Sequence, residues 1–183
     1  LERKKRTMKP SKLCLLVLCL TAPVWAHGDG EGPPSAALKR IFPAAESFVT
    51  RLMNFTAAVQ QKISSRLGKP LEGHDLKSNA YIPTAKGQSL GVVWETDAHL
   101  KEGLVDVLVG LDRQGKVVGV ALDHSPVASL AQSSYLNRYK GLTATASFQV
   151  KPLSGNPAAS QVVSQAVRKS AVVIQEAFLG GQK

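Results

Sequence analysis

Cysteine is almost missing from this chain of 183 residues: Cys14 and Cys19 are its two, and both lie in one apolar run at residues 13–20, LCLLVLCL. Once that run is removed as part of a leader, no thiol remains. Disulfides, iron–sulfur clusters, covalently attached haem and thiol nucleophiles are then excluded. Aromatic residues are sparse at 5%, and no Lys/Arg stripe interleaves with them, so nucleic acid is not an expected partner. Gly-x-Gly-x-x-Gly and the Walker loop are both lacking, which sets aside the common dinucleotide and nucleoside-triphosphate folds. No His-x-x-x-His occurs, no Ser/His/Asp order stands out on a nucleophile elbow, and the carboxylates are too scattered to name an acid–base pair. Long hydrophobic runs are absent too, since residues 13–20 fall far short of the roughly 20 needed to span a bilayer.

What is present begins with an export pattern. Residues 1–7 precede Met8 and are set aside as upstream sequence. From Met8 the chain reads as a signal peptide over residues 8–26. Lys9 and Lys12 form the positive start, residues 13–20 the apolar centre, and Val24-Trp25-Ala26 the cleavage site. Cys19 follows Leu18, so the small residue that a lipoprotein signal places before its cysteine is missing. The alternative is an uncleaved N-terminal membrane anchor. Six of the 23 basic and one of the 13 acidic residues precede His27, leaving 17 and 12, a net charge of +5 on the processed chain. The expectation is a mildly basic periplasmic protein with one modest core.

Residues 27–35 are rich in glycine and proline and read as a flexible leader, and a single domain is expected over residues 36–180. Ser35 suits the cap of a short helix carrying Leu38, Ile41 and Phe42, stopped by Pro43. Asn54 suits the cap of a second helix, with Val59, Ile63 and Leu67 on one face and Gly68 just past its end. Strands are expected over residues 89–95, 104–111, 116–123 and 144–150, with Asp112-Arg113-Gln114-Gly115 as a hairpin turn. A loop at residues 151–157 leads into a long helix over residues 158–178, where Val163, Val167, Ile174 and Phe178 recur at helical spacing. The order predicts an α+β fold: an antiparallel meander with N-terminal helices and a long C-terminal helix.

Three places suit a ligand. The loop Ser154-Gly155-Asn156 running through Ala158 to Ser160 opens the last helix. Free N–H groups and the helix dipole favour a phosphate there, although the same residues also read as plain capping. The segment after the hairpin holds His124, Tyr135 and Tyr139. Aromatics at a strand end can flank a flat ring, or the segment is a surface crossover. His27, as a mature N-terminus, has an amine and an imidazole that together chelate Cu(II), though cleavage there can equally be incidental.

Taken together, these segments resemble the FMN-binding domain found in the G subunit of Rnf electron-transport complexes and in the C subunit of sodium-pumping NADH:quinone reductases. The resemblance rests on residues 37–48 (ALKRIFPAAESF), 87–93 (GQSLGVV), 107–124 (VLVGLDRQGKVVGVALDH), 135–141 (YLNRYKG) and 154–167 (SGNPAASQVVSQAV), in that order. It implies an electron carrier that meets a membrane-bound redox complex. Two departures qualify it. Pro157 falls where the family carries a threonine that bonds FMN through a phosphoester, so any flavin here is expected to be non-covalent. Residues 126–131 (PVASLA) replace the family's Glu-Thr-Pro-Gly-Leu-Gly and keep only its leucine. By the resemblance, Ser154, Gly155, Asn156, Ala158, Ser160, His124, Tyr135 and Tyr139 are the residues expected to hold the cofactor. The alternative is a degenerate member without flavin, serving as an assembly or sensory module.

Overall fold

A computed structural model describes residues 35–145, 148 and 150–180. The expected signal peptide, its cleavage site and His27 lie outside the described residues.

The fold is α+β, as expected. One antiparallel sheet runs in the order β1-β2-β4-β5-β6. Its strands are β1 (Ser47–Leu52), β2 (Asn79–Ala85), β4 (Gly91–Leu100), β5 (Gly103–Asp112) and β6 (Val117–Asp123), with a two-residue β3 (Gln88–Ser89) paired to β2. The Val/Leu-rich runs become the sheet centre because both faces of β5 are covered. Val105, Val107, Val109 and Leu111 enter one hydrophobic cluster, while Leu108 enters another on the opposite face. The four-residue turn between β5 and β6 closes on Gly115 in the left-handed region at φ 78°. The Asp112 carboxylate accepts from the Gln114 and Lys116 N–H groups, each at 2.9 Å.

Helices cover the two faces unequally. On one side lies α1 (Ser35–Ile41), which ends at the residue before Phe42-Pro43 and packs Leu38, Ile41 and Phe42 against Tyr81, Val93, Leu108 and Ala121. On the other lie α2 (Ala57–Leu67) and α4 (Pro157–Ile174), with Ile63, Val163, Val167, Ala171 and Ile174 against Trp94 and the β5 valines; the one-turn α3 (Ser133–Leu136) comes between β6 and α4 in the chain. Gly68 ends α2 at φ 75° and donates its N–H to the Ser64 carbonyl, as its position predicts. The N-cap of α2 is Thr56 rather than Asn54: the Thr56 hydroxyl accepts from Val59 N–H at 3.4 Å. A π-type turn, Gln175–Leu179, extends α4.

The strand expected over residues 144–150 is not found among the described residues. Gly141 at φ 80° and the bond from Leu142 N–H to the Tyr139 carbonyl reverse the chain. Among the described residues, pairing with the sheet is a bridge between Lys116 and Thr143, flanked by bonds from Val117 N–H to the Leu142 carbonyl and from Gly141 N–H to the Val117 carbonyl, each at 2.8 Å. Ala144 and Thr145 lie in a turn, and Phe148 is drawn into the core instead of pairing in a ladder.

Candidate functional site

The loop before α4 is tied down mainly by its own groups. Asn156 N–H donates to the Leu153 carbonyl at 3.0 Å. The Ser160 hydroxyl accepts from Leu153 N–H at 3.0 Å and donates to the Asn156 carbonyl at 2.8 Å. Buried Ser160 is therefore committed to loop structure and offers no hydroxyl to a ligand. Asn156 occupies the N-cap position, yet its side chain does not cap the helix. Its Nδ2 donates to the Ser129 hydroxyl at 3.1 Å, across 27 residues of sequence. Ser154, Gly155 and Ala158 are exposed. Pro157, first in the helix, brings no N–H and no hydroxyl, so the main-chain donors left at this end are those of Ala158 and Ala159. No acidic residue stands in the first turn to oppose an anion.

Tyr135 and Tyr139 do not flank an open slot. Both are fully buried, edge to face at 5.6 Å between ring centroids. Their hydroxyls lie 2.7 Å apart; Tyr135 donates to the Ser160 carbonyl at 3.0 Å, and the Tyr139 hydroxyl pairs with that of Ser164 at 2.7 Å. Burial, and then the bond to Tyr135, pushes the Tyr139 hydroxyl far above the ordinary phenol range. These rings pin the Ser133–Tyr139 segment onto α4, and neither has a free face for a ligand. Arg138 lies 5.7 Å over the Tyr135 ring and donates to the Lys151 carbonyl at 2.8 Å, which sets its guanidinium beside the start of the loop. His124 leaves β6 in the left-handed region at φ 52°, with its side chain 64% exposed and Nε2 4.0 Å from the Asp123 carboxylate.

Residues 87–91 spell the Gly-x-Ser-x-Gly of a nucleophile elbow, a match that means catalysis only on a strand-to-helix turn. Here they form the short β3 and its turn into β4, and the Ser89 hydroxyl donates to the Gly91 carbonyl at 3.1 Å. The match is incidental.

Beside the first turns of α4 a groove of about 360 Å³ opens. Phe148, Val150 and Pro152 form an apolar wall, and Gln161, Gln165 and Arg168 project amides and a guanidinium. Ala158 and Ser164 are separated by about 9 Å along the helix axis. An exposed anion cradle at the helix start and an apolar groove with amide donors and acceptors thus share one helix. That combination suits a flat heterocycle with an anionic tail. Sequence reasoning pointed to the cradle but missed the groove, because Gln161, Gln165 and Arg168 read as the solvent face of an amphipathic helix.

No protein-family model and no curated protein sequence matches this chain. Among the described residues no helix is long and apolar enough to cross a membrane, and no group of three His, Cys, Asp or Glu side chains is placed to hold a metal.

Proposed function

We propose that the protein is an exported flavin carrier that binds FMN without a covalent bond and exchanges electrons with a membrane-bound redox complex. The observation that carries this reading is the bond from Asn156 to Ser129. It joins the loop that the resemblance assigns to flavin to residues 126–131, which stand in place of the family's Glu-Thr-Pro-Gly-Leu-Gly run, 27 residues away in sequence. The phosphate would sit on the N–H groups of Ala158 and Ala159 with the Ser154 hydroxyl, in the positive field of Lys151 and Arg138. The ring would lie in the groove between Phe148 and the Gln161–Arg168 face of α4. Bound there, FMN supplies reversible one- and two-electron chemistry. The protein's part is to hold the phosphate, orient the ring and cover one ring face from water.

Pro157 rules out the phosphoester at its own position and removes one N–H from the cradle. A lost bond to a charged phosphate costs about 1.5–3 kcal/mol, roughly ten- to a hundredfold in affinity. Reversible binding in the micromolar range is the expectation. Titration of FMN with the purified protein, followed by flavin fluorescence, tests it. Saturable quenching with a rise in melting temperature is expected, together with no fluorescent band on a denaturing gel. Absence of quenching at saturating FMN would overturn the reading.

A second reading, a flavin-free assembly or sensory module, is favoured by the burial of Tyr135 and Tyr139 and by the engagement of Ser160 inside its own loop. The same titration separates the two.

A further inference from the structure

A second cavity, of about 540 Å³, opens between the end of α2, β4 and the middle of α4. It meets the flavin groove at Gln165 and Arg168, which line both. Beside it lies a buried charge that the proposed flavin site does not use. Asp75 is 1% exposed. Its Oδ1 accepts from the Thr96 hydroxyl at 2.9 Å and from Lys169 Nζ at 2.7 Å, and its Oδ2 accepts from Glu72 N–H at 3.3 Å. His74 Nε2 stands 3.5 Å from Oδ1. The carboxylate is therefore well supplied with donors.

The ammonium is not. Lys169 has three N–H donors, and Asp75 takes one of them. Its side chain is 14% exposed and forms part of the cavity wall. Arg168, its neighbour on the same wall, gives Nη2 to the Arg66 carbonyl at 3.0 Å and keeps the rest of its fork. A buried ion pair is a poor source of stability, because removing two charges from water offsets their attraction. It does fix a positive charge in place, and Asp75 holds Lys169 at this wall at the cost of desolvating both groups. Glu72 and Asp97 on the same cavity moderate the positive field. Lys69 lines the cavity too, so the cations of the lining, Lys69, Arg168 and Lys169, outnumber its carboxylates, Glu72 and Asp97, and an organic carboxylate is favoured.

We infer that this cavity is a binding site for a small organic carboxylate, held by the guanidinium of Arg168 and the ammonium of Lys169. The fork of Arg168 matches a carboxylate in bidentate fashion and Lys169 adds a point charge. The site stands whether or not the protein carries flavin. If it does, the carboxylate lies next to the groove that would hold the ring.

The test uses the full chain without added FMN and succinate as probe, read by calorimetry and melting temperature at constant ionic strength. Succinate should bind saturably and raise the melting temperature, while its neutral diamide, succinamide, should do neither. Arg168→Gln should weaken succinate binding by about tenfold or more, the loss expected for one hydrogen bond to a charged group. Lys169→Met alone leaves Asp75 buried without its cation and risks misfolding. The double variant Asp75→Asn/Lys169→Met removes both charges together and should abolish binding. If it does not fold, Arg168→Gln decides alone. A succinate response equal to that of sodium chloride at the same ionic strength, or undiminished binding in Arg168→Gln, would overturn the inference.

Discussion

Glu95 faces the smaller hydrophobic layer, where its Oε2 accepts a 2.8 Å bond from the Tyr81 hydroxyl. Burial pushes its carboxyl above the usual glutamate range, and the charges of Asp106, Asp97 and Asp123 add to the rise, while the bond from Tyr81 opposes it. Those aspartates pair directly across the strands, Asp97 with Asp106 and Asp106 with Asp123, an arrangement of like charges that costs stability. A group whose pKa is raised on folding stabilises fully below its unfolded value of about 4.5, and that contribution is lost as pH climbs through the raised folded value. Glu95→Gln keeps an acceptor for Tyr81 and removes the charge. Its melting temperature should vary less with pH than the wild type's as pH rises above 4.5, with the gain on the alkaline side. Parallel curves for the two proteins would sink this assignment. The tyrosines show where residue-level reading stops. Tyr135 and Tyr139 are four apart and share a helical face whether they line a slot or fill a core. Nothing local distinguishes the two, because the partners that bury them, Ser160 and Ser164, come from another element. Asp75 and Lys169, 94 residues apart, were invisible for the same reason.

At the level of elements, the seat of α1 depends on two glycines facing each other across strands, Gly110 on β5 and Gly119 on β6. A Cβ at Gly110 would overlap Ile41 Cγ2 and lie 2.8 Å from Phe42 Cε2, and one at Gly119 would lie 3.2 Å from Ile41 Cα. Neither residue has a positive φ, so an alanine there meets a packing obstacle and no backbone strain. Gly110→Ala should cost about 1–3 kcal/mol, the usual range for overfilling a packed layer. Gly119→Ala should cost less, and chemical denaturation reads both. Loss below about 0.5 kcal/mol for Gly110→Ala would mean that α1 does not rest on this shelf. The long α4, the β5–β6 hairpin and the apolar face of α2 were legible, because each carries its own period and its own stop. β1 and β2 were not. β1 is an exposed edge strand with no alternation of burial to betray it. β2 contains Pro83, which reads as a strand breaker. Here Pro83 is tolerated where pairing with β2 slips by one residue, between Tyr81–Val93 and Thr84–Ser89, and its carbonyl still accepts from Leu90 N–H at 2.9 Å.

At the scale of the whole molecule, the sheet carries a large core under α2 and α4 and a small one under α1. Burial of apolar area dominates folding free energy, so stability should follow this asymmetry. β5 lies between β4 and β6, is hydrogen-bonded on both edges and is covered on both faces. Its amides can exchange with solvent only when the main core opens. β1 is the edge of the sheet, paired to β2 alone, with Val49 49% and Leu52 71% exposed. Its outward N–H groups exchange without any unfolding, and its inward ones need only local fraying. Native-state hydrogen exchange should therefore rank Val105, Val107 and Val109 as the slowest amides, near the global unfolding free energy. The β1 amides should be the fastest of the long strands, and α1 should fall between because it shields the smaller layer only. Adding denaturant should leave β1 exchange nearly unchanged and speed β5 exchange with the full unfolding slope, since only the latter exposes the main core. Equal protection and equal denaturant dependence in β1 and β5 would show that the sheet opens as one unit, and that the two layers do not differ in the stability they confer.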